Sequence, residues 1–138
     1  MVQKTEKRNR LKIEIQEIER YLSEVKDTIR NGRYQIARNG KRQSNIDLFF
    51  NYVMDEAKAR DILLSLVPTD FSEILKNEHK GYEHEILYVF GKDVKLLERY
   101  GAGEKTVSLY IKFNRLPEHF VVVISFHEQR HPLTYYFK

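Results

Sequence analysis

Tyr110 and Lys112 form a pair whose residue types and spacing could hold a phosphate group. The run over residues 106–113 alternates between polar and apolar side chains, which predicts a β-strand. Both residues then share one face, about 7 Å apart along the strand, where a hydroxyl and an ammonium can donate to the same phosphate. An ordinary solvent-facing strand has the same pattern, so the residues leave both interpretations open.

A second polar cluster follows a predicted strand over residues 119–126. It contains His127 and His131, which can exchange protons near neutral pH, and Arg130, which can neutralise a phosphate. Alternation predicts that His127 lies opposite a face shared by four apolar residues of this strand. These are Phe120, Val122, Ile124 and Phe126. The cluster predicts a site for proton transfer and phosphate binding, with two surface histidines as the alternative.

The same segment, from His127 to His131, contains the His-Glu-x-x-His string of zinc metallopeptidases. That chemistry requires a helix, on which both imidazoles lie one turn apart on the same side. Here the string follows a β-rich run, and Pro132 disfavours helical backbone at His131. A zinc metallopeptidase is therefore the weakest alternative, and we expect no metal site.

Composition excludes several other classes of chemistry. The 138 residues include no cysteine, which removes disulfides, thiolate catalysis and cysteine-ligated metal sites. The six glycines form neither a phosphate-binding loop nor a dinucleotide fingerprint. We therefore expect no cofactor.

Length and charge predict a single domain with basic ends. The formal net charge is +4, distributed as +6 over residues 1–43, −5 over 44–104 and +3 over 105–138. This distribution permits a polyanionic partner such as nucleic acid. No apolar run approaches the roughly 20 residues that cross a bilayer, and the basic start lacks the apolar stretch of a signal peptide. We expect a cytoplasmic protein with no membrane partner.

The elements that must position these side chains begin with a long helix. Six apolar residues recur at spacings of four and three: Leu11, Ile15, Ile18, Leu22, Val25 and Ile29. This a/d pattern predicts an amphipathic helix over residues 11–30 that ends at Asn31-Gly32. Its apolar seam could pack on its own domain, or the 11–29 heptad helix could contact a second copy or another protein.

Shorter elements are predicted in the middle of the chain. Residues 33–38 indicate a strand, Ser44 caps a short helix, and Asp55 caps another. The second of these helices has an apolar stripe formed by Ala57, Ile62, Leu63 and Leu66. After Pro68 the pattern predicts one more helical turn around Phe71.

The last third of the chain is typical of β-structure. Strong runs cover residues 85–90, 106–113 and 119–126, and a short run covers 134–137. Gly91 is expected to end the first run. Helices first and strands later predict an α+β fold, with N-terminal helices followed by a mainly antiparallel sheet.

Seven short strings occur in a specific order: Val25 to Tyr34, Ile62 to Leu66, Asp70-Phe71, Tyr88 to Gly91, Leu109 to Lys112, Ser125 to Pro132, and Tyr136-Phe137. In this order the chain resembles the MqsR (motility quorum-sensing regulator) family of toxins. The resemblance covers residues 22–138, and the last third contains its most specific strings.

The resemblance implies a RelE/ParE-like fold over residues 33–138, preceded by the amphipathic helix over 1–32. It implies the toxin of a type II toxin–antitoxin system, a metal-independent endoribonuclease that cleaves mRNA, free or on the ribosome. A cognate antitoxin protein would be its partner. The cleavage sequence, the antitoxin and the oligomeric state stay open.

The resemblance also assigns roles to particular positions. Tyr110 matches the family tyrosine before the Ile/Leu-Lys pair, and His127 stands where some members have a lysine. Near the family lysine that follows Asp-Tyr/Phe, this chain has Glu73, with Lys76 further on. Three residues remain candidates for the family's polar residue on the first strand: Glu83, His84 and Glu85.

With this activity in view, we expect six catalytic residues: Tyr110, Lys112, His127, Arg130, His131 and Glu85. Lys112 and Arg130 would hold phosphate charge, and Tyr110 would orient or protonate the substrate. His127 would move a proton, with either His131 or Glu85 as its counterpart. Five residues are expected to bind RNA: Arg33, Lys41, Arg42, Lys76 and Tyr136. The alternative function is a non-catalytic regulatory module that binds nucleic acid or protein.

Overall fold

Helices precede the main strands along the chain, as the sequence predicts. The computed structural model describes residues 12–101 and 103–138. Within these ranges there are three α-helices: α1 (Ile15–Arg30), α2 (Gln43–Asn51) and α3 (Glu56–Leu64). The strands are β1 (Tyr34–Ile36), β2 (Phe71–Lys76), β3 (Ile86–Leu97), β4 (Glu104–Leu116) and β5 (Phe120–Glu128). A 3-10 turn, Pro68–Asp70, precedes β2. The α+β prediction is confirmed.

The described strands form one sheet in the order β1-β5-β4-β3-β2. β1 runs parallel to β5, and the other three pairs are antiparallel. One face of the sheet joins α1, α2 and α3 in a single apolar cluster. The opposite face, called the open face below, has the polar side chains of β4. The predicted alternation of β4 is confirmed, because Val107, Leu109, Ile111 and Phe113 are all buried on the core side.

The apolar seam of α1 packs against the chain's own sheet. Its buried members are Ile18, Leu22, Val25 and Ile29. The helix begins at Ile15, later than the spacing predicts, and the Glu17 carboxylate accepts a hydrogen bond from the N-cap Glu14 N–H at 2.9 Å. Leu11 lies outside the described residues. A partner that contacts α1 would therefore have to use its polar outer face. Among the described helices, none is long and apolar enough to cross a membrane.

Three predictions about strands are wrong. The helical turn expected after Pro68 is present as the 3-10 turn, but its expected continuation around Phe71 is β2, because residues 71–76 pair with β3. The strand expected to end at Gly91 continues to Leu97, because Gly91 pairs with Tyr110 inside the ladder. Residues 134–137 do not form a strand.

The short helices also depart from prediction in detail. α2 begins one residue before Ser44, and its N-cap position is Arg42, without a side-chain cap. Asp55 caps α3 as predicted, because its carboxylate accepts a hydrogen bond from the Lys58 backbone N–H at 2.8 Å. The apolar stripe of α3 differs by one member: Ala57 is exposed, and Ala59 is fully buried.

A β-bulge changes the faces of β5. Lys112 pairs with Ser125 and Phe113 pairs with Val123, so Ile124 is the extra residue. The predicted shared face of four apolar residues is therefore wrong, because a bulge inverts the alternation after it. On the core side, the buried residues of β5 are Val121, Val123 and Phe126.

Residues 129–136, the C-terminal strap, cross the open face from β5 to β2. The strap begins where the Gln129 N–H donates to the Ser108 carbonyl at 2.8 Å. At the other end, the Ser72 hydroxyl donates to the Thr134 carbonyl at 2.6 Å. Between these points the strap passes over Gly91, where an added Cβ would collide with the side chains of the strap.

Candidate active site on the open face of the sheet

Tyr110 and His127 lie directly opposite each other on β4 and β5. Directly opposite residues of an antiparallel pair share a face, and these two rings stack with centroids 5.3 Å apart and planes 12° apart. Lys112 lies on the same face of β4, paired with Ser125. Three of the six predicted catalytic residues therefore share this face.

Asn45 of α2 holds the bulge that precedes His127. Its amide nitrogen donates to the carbonyls of Ala37 and Ile124 at 2.7 and 2.9 Å. Its side-chain oxygen accepts from the Phe126 N–H at 2.9 Å. Asn45 is 1% exposed, so these bonds form away from water. They join the beginning of α2 to β5 beside the site.

The imidazole of His127 has one defined nitrogen for proton transfer. Its Nδ1 lies 2.8 Å from the carbonyl oxygen of Glu128. Because a carbonyl only accepts, Nδ1 carries a proton and Nε2 is left to exchange one. Burial, followed by the charges of Arg130, Lys112 and Arg42, lowers the pKa of His127, against an opposing effect of the bond to Glu128. The ring is therefore mainly neutral at pH 7 in the free protein.

Two arginines surround this pair with positive charge. Arg42 precedes α2, and Arg130 follows β5 and donates to the hydroxyl of Ser44. Burial, followed by the charge of Arg42, lowers the pKa of Lys112. Arg42, Lys112, His127 and Arg130 are called the basic cluster below. Arg42, which the sequence assigns to RNA binding, thus lies with the predicted catalytic residues.

A carboxylate, Glu73 of β2, faces the basic cluster from the other side. Glu73 pairs with Val89 of β3, and Val89 pairs with Lys112, so all three lie on the open face. Burial, followed by the negative charge of Glu73, raises the pKa of Tyr110. Tyr110 therefore keeps its hydroxyl proton at neutral pH and can act as a hydrogen-bond donor. The charge of Glu73 also opposes the fall in the pKa of Lys112.

The C-terminal strap forms a wall next to Tyr110. The side chain of Gln129 holds it, because its nitrogen donates to the Leu109 carbonyl at 3.0 Å and its oxygen accepts from the Leu133 N–H at 3.2 Å. Gly91, directly opposite Tyr110, leaves room for this wall because it has no side chain. The strap therefore borders the site on the side of Gly91.

The predicted counterparts of His127 have other surroundings. Glu85 accepts hydrogen bonds from the amides of Asn77 and Asn114 at 2.9 and 2.8 Å. Asn114 lies four residues beyond Tyr110, roughly 13 Å along the strand, so Glu85 is remote from the imidazole. His131 is exposed in the strap, and the hydrogen bonds and ring contacts of the described residues do not join it to His127.

Arg33 and Tyr136, both predicted to bind RNA, have structural contacts away from the basic cluster. Arg33 donates to the carbonyls of Glu118 and His119, each at 2.8 Å, at the turn before β5. The hydroxyl of Tyr136 accepts from the Ile13 N–H at 2.9 Å, just before α1. These contacts occupy both side chains in holding the fold.

The remaining predicted polar residues are exposed. Lys41 adjoins Arg42 at the edge of the basic cluster. Lys76 lies three residues after Glu73 on β2, which places it on the opposite face of the sheet. Glu83 and His84 lie in the turn between β2 and β3.

The His-Glu-x-x-His string does not have the geometry of a metallopeptidase. His127 and Glu128 end β5, and residues 129–131 are irregular, so the predicted strand context is confirmed. The two imidazoles are thus not one helical turn apart. Across the described ranges, no three histidine or acidic side chains are grouped to share a metal ion.

Two concave regions of the molecule lie away from the basic cluster. One, of about 270 Å³, is lined by Lys26 and Arg30 of α1 and by the 3-10 turn. The other, of about 650 Å³, follows the edge of β1 beside Arg38 and Glu56. The candidate site is instead open, a shape that can accommodate a polymer.

Sequence reasoning missed three residues that shape the site. Glu73 was hidden by the expected helical turn, although its alternation with Ile74 would have placed it on a strand face. The side-chain amides of Asn45 and Gln129 form hydrogen bonds with backbone groups that are distant in sequence. The presence of an asparagine or a glutamine does not by itself indicate such bonds.

Comparison of the chain with protein-family models, with curated proteins and with solved structures found no match. The chemical interpretation therefore rests on the open face itself. That face combines Lys112, an imidazole that can exchange a proton, a phenol and a carboxylate within the rows of a single sheet, and Arg42 and Arg130 lie next to it. Such a set can bind a phosphodiester and move protons to and from its oxygens.

Proposed function

We propose that this chain is a metal-independent endoribonuclease, the mRNA-cleaving toxin of a type II toxin–antitoxin system, with the RelE/ParE-like fold that the MqsR resemblance implies. One observation carries the proposal: Lys112 and the stacked Tyr110–His127 pair share the open face of the sheet. The charges of Arg42 and Arg130 act on the same imidazole. A single-stranded RNA can lie across such a face with a phosphate among the cations.

The reaction needs no group from outside the chain. The ribose 2′-oxygen attacks the adjacent phosphorus, the P–O5′ bond breaks, and a 2′,3′-cyclic phosphate and a 5′-hydroxyl result. The 2′-hydroxyl must lose a proton and the 5′-oxygen must gain one, while negative charge accumulates on the non-bridging oxygens. Catalysis therefore requires proton carriers on two sides and cations between them.

The residues of the open face fit these needs. Lys112, Arg42 and Arg130 stabilise the charge on the non-bridging oxygens. Nε2 of His127 exchanges a proton with one of the two reacting oxygens, because Nδ1 is committed to the Glu128 carbonyl. Tyr110 retains its proton and donates a hydrogen bond to the phosphate, because its pKa is raised by burial and by the charge of Glu73.

A cognate antitoxin is the partner that this function implies, in the cytoplasm where mRNA is translated. Because the seam of α1 is buried, we expect the antitoxin to cover the open face or to contact polar surfaces. The basic cluster offers it a positive surface that acidic side chains would complement.

Cleavage of synthetic single-stranded RNA by the purified chain, in EDTA, tests the proposal. We expect products with 2′,3′-cyclic phosphate ends and no cleavage of the all-2′-deoxy oligonucleotide. His127→Ala and Lys112→Ala should each lower kcat/KM by about 100-fold or more. The exposed Lys80→Ala is the matched control, because it removes an equal charge from the β2–β3 turn.

Expression in growing cells supplies a second measurement. Wild type should arrest growth, and His127→Ala should not, at equal levels of folded protein. Equal toxicity of the His127 and Lys112 variants would show that the site is elsewhere. RNA binding without cleavage by the wild type would favour the non-catalytic binding module.

A further inference from the structure

The open face has a proton acceptor on the side of Lys112 opposite to His127. Four strands contribute one residue each to a row across the sheet: Glu73, Val89, Lys112 and Ser125. His127 lies on β5, two residues along from Ser125, and Glu73 lies on β2. The cation at the middle of the face is therefore flanked by an imidazole on one side and a carboxylate on the other.

The spacing of the strands fits a phosphodiester between these groups. Neighbouring strands lie about 4.8 Å apart, and His127 lies two residues, roughly 7 Å, along β5 from the row of Glu73. The backbones of Glu73 and His127 are therefore separated by roughly 16 Å. Glu73 and His127 both project from the open face and can reach towards each other above Val89 and Lys112. In a displacement at phosphorus, the attacking and leaving oxygens lie on opposite sides, so two proton carriers must also face each other across the phosphate.

Other nearby carboxylates have different positions or partners. Glu85 is held by two amides at the far end of the face. Asp93 accepts from the hydroxyl of Ser108 at 2.6 Å, beyond the C-terminal strap. Glu128 accepts from the hydroxyl of Tyr52 at 3.1 Å. Glu73 is exposed on the open face, separated from Lys112 by Val89, and its charge acts on both Tyr110 and Lys112.

We propose that Glu73 accepts the proton of the attacking 2′-hydroxyl and that His127 donates a proton to the leaving 5′-oxygen. This inference rests on the proposed function and names the second proton carrier of that site. The 2′-O–P bond forms as its proton passes to the Glu73 carboxylate. The P–O5′ bond breaks as the proton on Nε2 of His127 passes to O5′, and exchange with water then restores both groups.

Proton uptake by His127 accompanies binding of RNA. The groups that face its ring are Tyr110, Lys112, Arg42 and Arg130, and three of them are cations. A bound phosphate offsets their charge, so the imidazole takes up a proton more readily in the complex. In the free protein its pKa lies below its ordinary value of about 6.5, and we expect kcat/KM to fall as the pH rises through that titration.

The test compares Glu73→Gln with Glu78→Gln, an exposed carboxylate of the β2–β3 turn. Single-turnover cleavage of an RNA oligonucleotide gives the rate, and binding of its 2′-O-methyl analogue gives the affinity. We expect Glu73→Gln to lower the rate by about 100-fold or more with affinity within about twofold of wild type. Glu73→Asp should recover part of the rate, and Glu78→Gln should match wild type.

Three results would overturn the assignment while leaving the proposed function intact. In the first, Glu73→Gln cleaves at near the wild-type rate while His127→Ala is inactive. In the second, Glu73→Gln binds and cleaves more strongly, as expected for a carboxylate that only repels phosphate. In the third, kcat/KM rises with pH through the titration of His127, which would make His127 the acceptor. Failure of the wild type to cleave RNA contradicts the proposed function itself.

Discussion

The phenol of Tyr110 and the imidazole of His127 stack because their backbones pair directly across β4 and β5. The stack buries part of each ring, which disfavours both charged forms: the pKa of Tyr110 is raised and that of His127 is lowered. At neutral pH both rings are therefore mainly in their uncharged forms. The cations around His127 oppose its protonation, and a bound phosphate would offset their charge and so favour protonation.

Tyr21 of α1 provides a prediction about stability at the residue scale. Its hydroxyl is buried and lacks a hydrogen-bond partner among the described residues, and burial raises its pKa. Tyr21→Phe removes this unpaired group, so we expect the free energy of unfolding to rise by about 1 kcal/mol. Urea denaturation measures it. Tyr52→Phe is the control and should lower stability, because it breaks the bond to Glu128.

At the scale of elements, the site depends on an irregularity in β5. Without the bulge at Ile124, alternation would give His127 the same face as Val121 and Val123, which is the core side. The beginning of α2 holds the bulge through Asn45 and also supplies Arg42. The first turn of α2 and its N-cap position therefore position both the imidazole and a cation.

Asn45→Ala should be among the most destabilising substitutions of a polar residue. It leaves the Phe126 N–H and two carbonyls without partners in the interior, and we expect a loss of roughly 2–4 kcal/mol in the free energy of unfolding. Thermal denaturation checks this. Asp47→Ala, an exposed change on the same helix, should alter stability by less than about 0.5 kcal/mol. A small effect of Asn45→Ala would mean that the bulge forms without it.

At the scale of the whole molecule, the C-terminal strap ties β5 to β2 across the open face. Gln129 holds it over β4, Ser72 holds it over β2, and Gly91 lets it approach β3. The rings of Tyr136 and Phe137 then pack against Phe71 at the edge of the sheet. The strap therefore borders the site, and these two rings cover one edge of the core.

Gly91→Ala tests this closure. An added Cβ would lie 2.7 Å from Leu133 and would also collide with Tyr135, so the strap must move outward. We expect a loss of about 1–3 kcal/mol in stability and lower cleavage activity. Limited proteolysis of the strap should accelerate in parallel. Gly40→Ala has nothing within 4 Å of its Cβ and serves as the control. Unchanged stability and proteolysis for Gly91→Ala would contradict close packing of the strap.

Prediction from sequence succeeded where one element's own pattern was sufficient. The 3–4 spacing of α1 predicted its buried seam, and the alternation of β4 placed Tyr110 and Lys112 on one face. It failed for residues 71–76, whose short apolar run fits a helical turn or a strand until β3 is present to pair with it. It failed for β5 because a bulge depends on contacts from another element.

The sequence by itself determined that helices come first, that three long strands follow, and which chemistry is available to the open face, because periodicity and residue type are local properties. Tertiary structure decided which residues meet. The pairing of β2 with β3 placed Glu73 across Val89 from Lys112, and the bulge turned His127 towards Tyr110. Register and bulges arise from hydrogen bonds between distant segments, so the separation of Glu85 from the site and the approach of Glu73 became visible only in the folded chain.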